Sequence, residues 1–386
     1  MVFMSDTFTL LSRLISYLDD HSIGNSLLPV SRPYPLITSA VKANVANLLM
    51  QLPTESNIQF DMARANAFFS IEQYKRAEQI YQQILSANPN NITALYNLSV
   101  TLIRLNTPTK ALTALNNVIQ REPTLPEAYY QRGNAYDETG NSVKAIDDYT
   151  HAISMKSEFL QAIYNRGVVN AKLDLHEAAI NDFNTVIKLK PDISNAYLNR
   201  GASFDETGNH LSAIDDYTTA IDYNEDNLEA FFNRAKTLFL LGESLAAIND
   251  YTNVIERIPT DIEALNNRGL AFDLLGDYHL AIKDYNTVLK IDPHYAETLN
   301  NLGALYEALD DTDLAKDYYA SAVSNDPNFP SAHYNLARIH ARSNDLSLSL
   351  KYLNRSVDLD PLLKEEAISD EYLGQVIQWN IMKRQR

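Results

Sequence analysis

A polar side chain returns along this chain at a fixed step. Asn165, Asn199, Asn233, Asn267, Asn301 and Asn335 stand 34 residues apart, Asn97 extends the row upstream, and Gln131 fills the slot between Asn97 and Asn165. A step of this size is the period of one supersecondary unit built repeatedly, each unit burying its apolar face against the next. The 386 residues would otherwise suggest two or three separate globular domains. An array replaces that expectation, because it lengthens by adding units and never enlarges a single core.

The frame holds without insertion for nine units over residues 58–363. Position 8 of the unit is small (Ala65, Ser99, Gly133, Gly167, Gly201, Ala235, Gly269, Gly303, Ala337), and position 20 is alanine except at Ser349. Position 24 is a ring in seven units: Tyr81, Tyr149, Phe183, Tyr217, Tyr251, Tyr285 and Tyr319. Two helices that approach through small residues leave a space beside the contact, and the ring fills it. Position 15 is Gly, Asn or Asp everywhere but at Glu72. Those types tolerate the left-handed backbone that ends a helix. Proline at position 32 (Pro89, Pro123, Pro191, Pro259, Pro293, Pro327, Pro361) stops the second helix. Each unit therefore reads as helix, tight turn, helix. The 23 tyrosines and only 11 glycines suit packed helices better than a turn-rich β fold.

The period and the small–Ala–aromatic–Pro pattern resemble the tetratricopeptide repeat family, with residues 195–227 as a clear specimen. The resemblance implies an all-α solenoid, a right-handed superhelix of nine helix pairs whose first helices line a concave groove. The asparagine row is similar to the ladder in the tetratricopeptide superhelix of O-linked N-acetylglucosamine transferase, without that enzyme's catalytic domain. A carboxylate clamp for the acidic C-termini of chaperones, known in another branch of the family, would also need lysine at positions 2 and 5. Neither position is basic anywhere in this chain.

At about 100° per residue, positions 2, 5, 6, 9, 12 and 13 of the first helix share one face. Positions 4, 7, 8 and 11 share the other, which carries the small residues of the helix contact. The row at position 6 (Asn97, Gln131, Asn165, Asn199, Asn233, Asn267, Asn301, Asn335) thus belongs to the groove, where amides suit the backbone of an extended peptide. Position 5 adds Tyr96, Tyr130, Tyr164, Phe232 and Tyr334, as packing against the neighbouring unit or as apolar pockets for a ligand. Acids gather on the same face: Glu127, Glu229, Glu263 and Glu297 at position 2, and Asp137, Glu138, Asp205, Glu206, Asp273 and Glu307 at positions 12 and 13. Position 7 points at the second helix. It is arginine at Arg132, Arg166, Arg200, Arg234 and Arg268, and in those five units position 23 is aspartate. Where position 7 is leucine, position 23 is Ala114, Tyr318 or Tyr352. Arg64 with Ile80 is the exception; otherwise the two positions vary together, which predicts an ion pair inside each central unit.

Outside the frame, residues 1–57 carry helical spacing at Leu10, Leu11, Leu14, Ile15 and Leu18, a proline-rich loop over 21–35, and a second helix over 36–51. They read as a cap or linker on the open end, or as a segment folding back into the groove. Residues 364–386 read as a capping helix with a polar outer face, its Trp379 packed on the last repeat. The net charge of −17 disfavours nucleic acid and anionic membranes, and favours a partner that is basic or that offers apolar anchors. With no cysteine there is no disulfide, thiolate metal site or cysteine nucleophile. The first residues lack the basic start of a signal peptide, and no apolar run reaches a membrane span. We therefore expect a cytoplasmic protein. Phosphate-binding, dinucleotide and serine-hydrolase motifs are absent, the eight histidines are scattered, and no cofactor is implied. The expectation is a scaffold or adaptor that holds an extended peptide. The alternative is an assembly component that self-associates or joins a complex through its ends or convex face.

Overall fold

The computed structural model describes residues 39–51 and 58–384. The helix expected near Leu10 and the loop over 21–35 lie outside the described residues. All regular structure among the described residues is helical. Residues 1–227 and 228–386 form two compact units, and the division falls between the fifth and sixth repeats. The first unit holds the helix Ser39–Gln51 and repeats 1–5; the second holds repeats 6–9 and two further helices, Leu363–Ser369 and Leu373–Arg384.

Every repeat has a first helix of 13 residues and a second of 14, as in Pro126–Glu138 and Ser142–Met155. The turn between them is the same in all nine. Position 15 has a positive φ throughout, from 55° at Asn106 to 85° at Gly242. The following N–H reaches back five residues to close the helix end, as from Asn141 to the Tyr136 carbonyl at 2.8 Å. Glu72, the residue type least suited to this position, adopts it too at 64°. Its side chain pairs with Lys42 at 2.7 Å and ties the helix Ser39–Gln51 to the first repeat.

The helix contact is as tight as the small residues imply. A Cβ added to Gly133 would stand 2.6 Å from the Tyr149 ring, and one added to Gly303 would stand 2.5 Å from the Tyr319 ring. Tyr81, Tyr149, Tyr217, Tyr251, Tyr285 and Tyr319 are completely buried against these positions. Within each unit the second helix of a repeat packs on the first helix of the next. First helices also touch their counterparts in neighbouring repeats, so they form the inner side of each unit.

All five expected ion pairs form, and all are two-pronged. In Arg200–Asp216, Nε donates to Oδ2 at 2.7 Å and Nη2 to Oδ1 at 2.6 Å; Arg132–Asp148, Arg166–Asp182, Arg234–Asp250 and Arg268–Asp284 repeat the geometry. The remaining Nη1 crosses to the second helix of the preceding repeat: Arg132 to Asn116, Arg166 to Thr150, Arg200 to Asn184 and Arg268 to Thr252. Rings at positions 4 and 11 flank the guanidinium on both sides at Arg132 (Tyr129, Tyr136) and Arg200 (Tyr197, Phe204), and on one side at Arg234 (Phe231) and Arg268 (Phe272). One side chain thereby fixes three helices. The planar fork of arginine is needed for this, and lysine could not replace it.

At the outer ends, Val45, Ala46 and Leu49 bury against Ala65 and Phe68 of repeat 1. Leu373 buries with Tyr334 and Leu353 of repeat 9, and Val376 is fully covered. Trp379 is half-buried and carries Lys383 over its ring at 4.9 Å.

Arg200→Ala leaves a buried Asp216 without its cation, so it should lower unfolding free energy by about 3 kcal/mol. The double variant Arg200→Ala/Asp216→Ala should lose less, and denaturant titration giving equal losses would argue against a coupled pair. Gly303→Ala forces the Tyr319 ring aside and should cost about 1–3 kcal/mol. Adding Tyr319→Leu should recover part of that loss in the same titration.

Candidate functional site

Position 6 lies on the inner side of each unit, and its amides are already engaged. Asn97 Nδ2 donates to Asn66 Oδ1 of the preceding repeat at 3.0 Å. Asn165 donates to Asn134 Oδ1 at 2.9 Å and to the Tyr130 hydroxyl at 3.4 Å. Asn199 donates to the Tyr164 hydroxyl at 2.9 Å. In the second unit, Asn301 donates to Asn266 Oδ1 at 3.1 Å and Asn335 to Asn300 Oδ1 at 3.0 Å. In each case the acceptor stands at position 5 or 9 one repeat earlier, and it lies closer to the N-terminus. Gln131 instead accepts from Asn134 at 3.3 Å, and its own amide opposes the burial that pushes the Tyr96 hydroxyl up to about 12. Asn267 sits against the Tyr251 hydroxyl of the preceding repeat. Asn233 is half-buried and makes no amide hydrogen bond within its own unit.

The position-24 tyrosines join this wall from beneath. Their rings fill the core while their hydroxyls emerge under the polar row. Tyr81 donates to Asn66 at 2.6 Å, Tyr149 to Asn134 at 2.8 Å, Tyr217 to Asp205 at 2.8 Å and Tyr319 to Glu307 at 3.0 Å. Burial pushes all four hydroxyls well above the usual tyrosine range. The Tyr285 hydroxyl is buried and has no partner among the described residues.

The position-5 aromatics are mostly consumed by packing. Tyr130, Tyr164 and Tyr334 expose 4%, 6% and 5% of their surface, which leaves them no pocket to offer. Tyr130 meets Phe159 at 5.0 Å between ring centres, and Tyr164 meets Phe183 at 5.8 Å. Tyr96 and Phe232 remain half-buried and retain some face. Tyr334 instead buries against Leu353 of its own repeat and Leu373 of the last helix.

The acids divide into two sets. Glu127 pairs with Lys156, Asp137 with Lys172, and Asp205 lies 3.0 Å from His210. Glu138 is exposed and Asp273 half-buried, and desolvation raises both above the ordinary range; Arg104 partly offsets the rise at Glu138.

Repeats 8 and 9 break the pattern. Arg338 and Arg342, at positions 9 and 13 of the last repeat, both reach Glu307, at 2.9 and 3.0 Å. Beside them opens a cleft of about 520 Å³ lined by Ala304, Glu307, Ala308, Arg338, Arg342, Asp370, Glu371 and Tyr372. Sequence reasoning passed over this cluster. The signal was two arginines one turn apart on a face that is otherwise acidic. His333 and His340 are buried, one bonded to the Pro327 carbonyl and the other stacked on Tyr352, so they are part of the core. Among the described residues, no group of three His, Cys, Asp or Glu side chains is placed to hold a metal ion. No described helix is long and apolar enough to cross a membrane.

Sequence models of the tetratricopeptide repeat match residues 70–132, 126–159, 160–193, 198–262, 262–295 and 300–363. No curated protein matches the sequence. Among solved structures, the chain is similar to the C-terminal part of a tetratricopeptide repeat-containing protein from Cytophaga hutchinsonii. That match has 17% identity and a TM-score of 0.54, and covers 62% of this chain and 99% of that one. A tetratricopeptide repeat protein from Parabacteroides merdae matches at 21% identity with a TM-score of 0.49, over 64% of this chain and 97% of that one. The MamA protein matches at 26% identity with a TM-score of 0.41, over 44% of this chain and 92% of that one. Nine in-phase helix pairs, the small-on-aromatic contact and the matches along the array together place this chain in the tetratricopeptide repeat family.

Proposed function

We propose that this protein is a peptide-binding scaffold, not an enzyme, and that the polar wall of its first helices holds an extended segment of a partner protein. The observation that carries the reading is the wall itself: amides recur at one position on the inner side of both units, and their carbonyl oxygens are not all used within the array. Each hydrogen bond to a ligand backbone contributes a net ~0.5–1.5 kcal/mol, so several in series hold an unstructured segment with modest sequence preference. Tyr96 and Phe232 are the aromatics with surface left for such a ligand. The cysteine-free sequence suits a reducing compartment such as the cytosol.

A second reading, assembly through an edge, is favoured by a different observation. In the second unit the ends of successive first helices present Leu240 (67% exposed) and Leu274 (65% exposed), joined by Leu241, Leu275 and Leu309. A row of exposed leucines is a contact surface for another protein or another copy.

The ladder variants should separate in two measurements. Asn301→Ala/Asn335→Ala removes two cross-repeat bonds and should lower the melting temperature by several degrees, at ~2–4 °C per kcal/mol. Asn233→Ala should leave melting nearly unchanged and reduce retention of peptides enriched from a displayed library by the wild type. Unchanged retention with a large melting shift in both variants would make the row purely structural. Light scattering distinguishes the second reading: Leu240→Ser/Leu274→Ser should dissociate an oligomer if the edge assembles, and should leave a monomer unchanged if it does not.

A further inference from the structure

We propose that the polar wall sorts ligands by hydrogen-bond polarity: it accepts donors, and so selects an extended segment bearing lysine or arginine, with one cation seated between Asp273 and the Tyr285 hydroxyl. This rests on the groove reading above and specifies what the groove takes.

The amide nitrogens of Asn97, Asn165, Asn199, Asn301 and Asn335 are each committed to the preceding repeat. Their carbonyl oxygens accept nothing among the described residues. An asparagine offers two donor hydrogens and one acceptor oxygen. One hydrogen of each nitrogen, and both at Asn165, are turned into the array, so the oxygen with its two free lone pairs is the larger part of what remains for a ligand. A ladder free on both sides would clamp either half of a peptide group equally. This one is weighted toward receiving N–H.

The charges on the same face agree. Of the wall's cations, Arg338 and Arg342 are spent on Glu307 and Lys172 on Asp137, while Arg104 and Lys236 make no ion pair among the described residues. The carboxylates of Glu138, Glu206, Glu229, Glu263 and Asp273 have no cation within ion-pair distance among the described residues. Uncommitted carboxylates thus outnumber uncommitted cations, and with the amide oxygens they complement a basic segment.

Repeat 7 shows where one cation belongs. In repeats 5 and 8 the position-24 tyrosine donates to the acid at position 12, Tyr217 to Asp205 and Tyr319 to Glu307. Repeat 7 has both partners, Tyr285 and Asp273, but they are not joined. The tyrosine is wholly buried and its hydroxyl has no partner among the described residues. The carboxylate is half-covered, and burial alone raises it from the ordinary range. It lies near enough to add to the rise at Tyr285. A buried polar group left unmade is costly and calls for a partner. An ammonium or guanidinium has several donors, and could serve the carboxylate and the phenolic oxygen together.

The test uses the full chain and three fluorescently labelled Ser/Gly-rich peptides that differ only in carrying Lys, Gln or Glu. Each is about twelve residues long, enough at ~3.3 Å per residue to pass several repeats. In fluorescence anisotropy the Lys peptide should bind about tenfold or more tighter than the Gln peptide, and the Glu peptide weakest, as expected for charge-assisted bonds. Asp273→Asn should weaken the Lys peptide about tenfold while melting at or above the wild-type temperature. Asp317→Asn, the same charge change at an exposed site on a second helix, should not weaken it. Tighter binding of the Gln or Glu peptide overturns the polarity proposal and leaves the groove reading standing. Equal weakening by the two variants also overturns it, because bulk charge would then be the cause. If no peptide binds, the groove reading falls with it.

Discussion

Repeats 3, 4, 5, 7 and 8 depend on the ring at position 24 lying against bare backbone at position 8. That contact sets how closely the two helices of a repeat approach, and Gly133 and Gly303 have no room for even a methyl group. It also sets the chemistry of the inner wall. A phenol ring that deep in the core still needs a partner for its hydroxyl. At Tyr81, Tyr149, Tyr217 and Tyr319 the partner is a wall residue: Asn66, Asn134, Asp205 or Glu307. Core packing and groove polarity are therefore one problem with a shared solution. The bidentate arginines act on the other side of the same helices, and those of repeats 3, 4, 5 and 7 hold their repeat to the one before it.

Much of this was legible in the sequence because each feature occupies a single column of the repeat. The Arg–Asp pairs could be read from Arg132–Asp148 through Arg268–Asp284 because both columns change together. The left-handed turn was legible at Gly140 or Asn344. At Glu72 it was not, because the demand comes from the turn and the glutamate's reason for being there is Lys42, a residue outside the frame.

The wall was harder to read, for two physical reasons. The acceptor of a ladder amide alternates between position 9 (Asn66, Asn134) and position 5 (Tyr164, Asn266, Asn300), so no one column carries the signal. The helical wheel set position 5 on the inner face. It could not show that Tyr130 would close on Phe159, Tyr164 on Phe183, or Tyr334 on Leu373 of the last helix. The Glu307–Arg338–Arg342 cluster departs from the repeat, and a reading built on periodicity looks past such departures.

The direction of the ladder bonds has a further consequence. Each bonded amide reaches toward the start of the chain and never toward its end. The first repeat has Ala63 at this position and no earlier repeat for an amide to reach. The row therefore carries an arrow, and the repeats are not interchangeable despite their common shape. Asn301 needs the oxygen of Asn266 behind it, and Asn335 needs that of Asn300. Exchanging two repeats would preserve every helix and every core contact type, yet set donors facing residues that cannot accept. Order along the array is thus written in a few amide groups, and duplication of a unit in evolution would be constrained by which neighbour it lands beside.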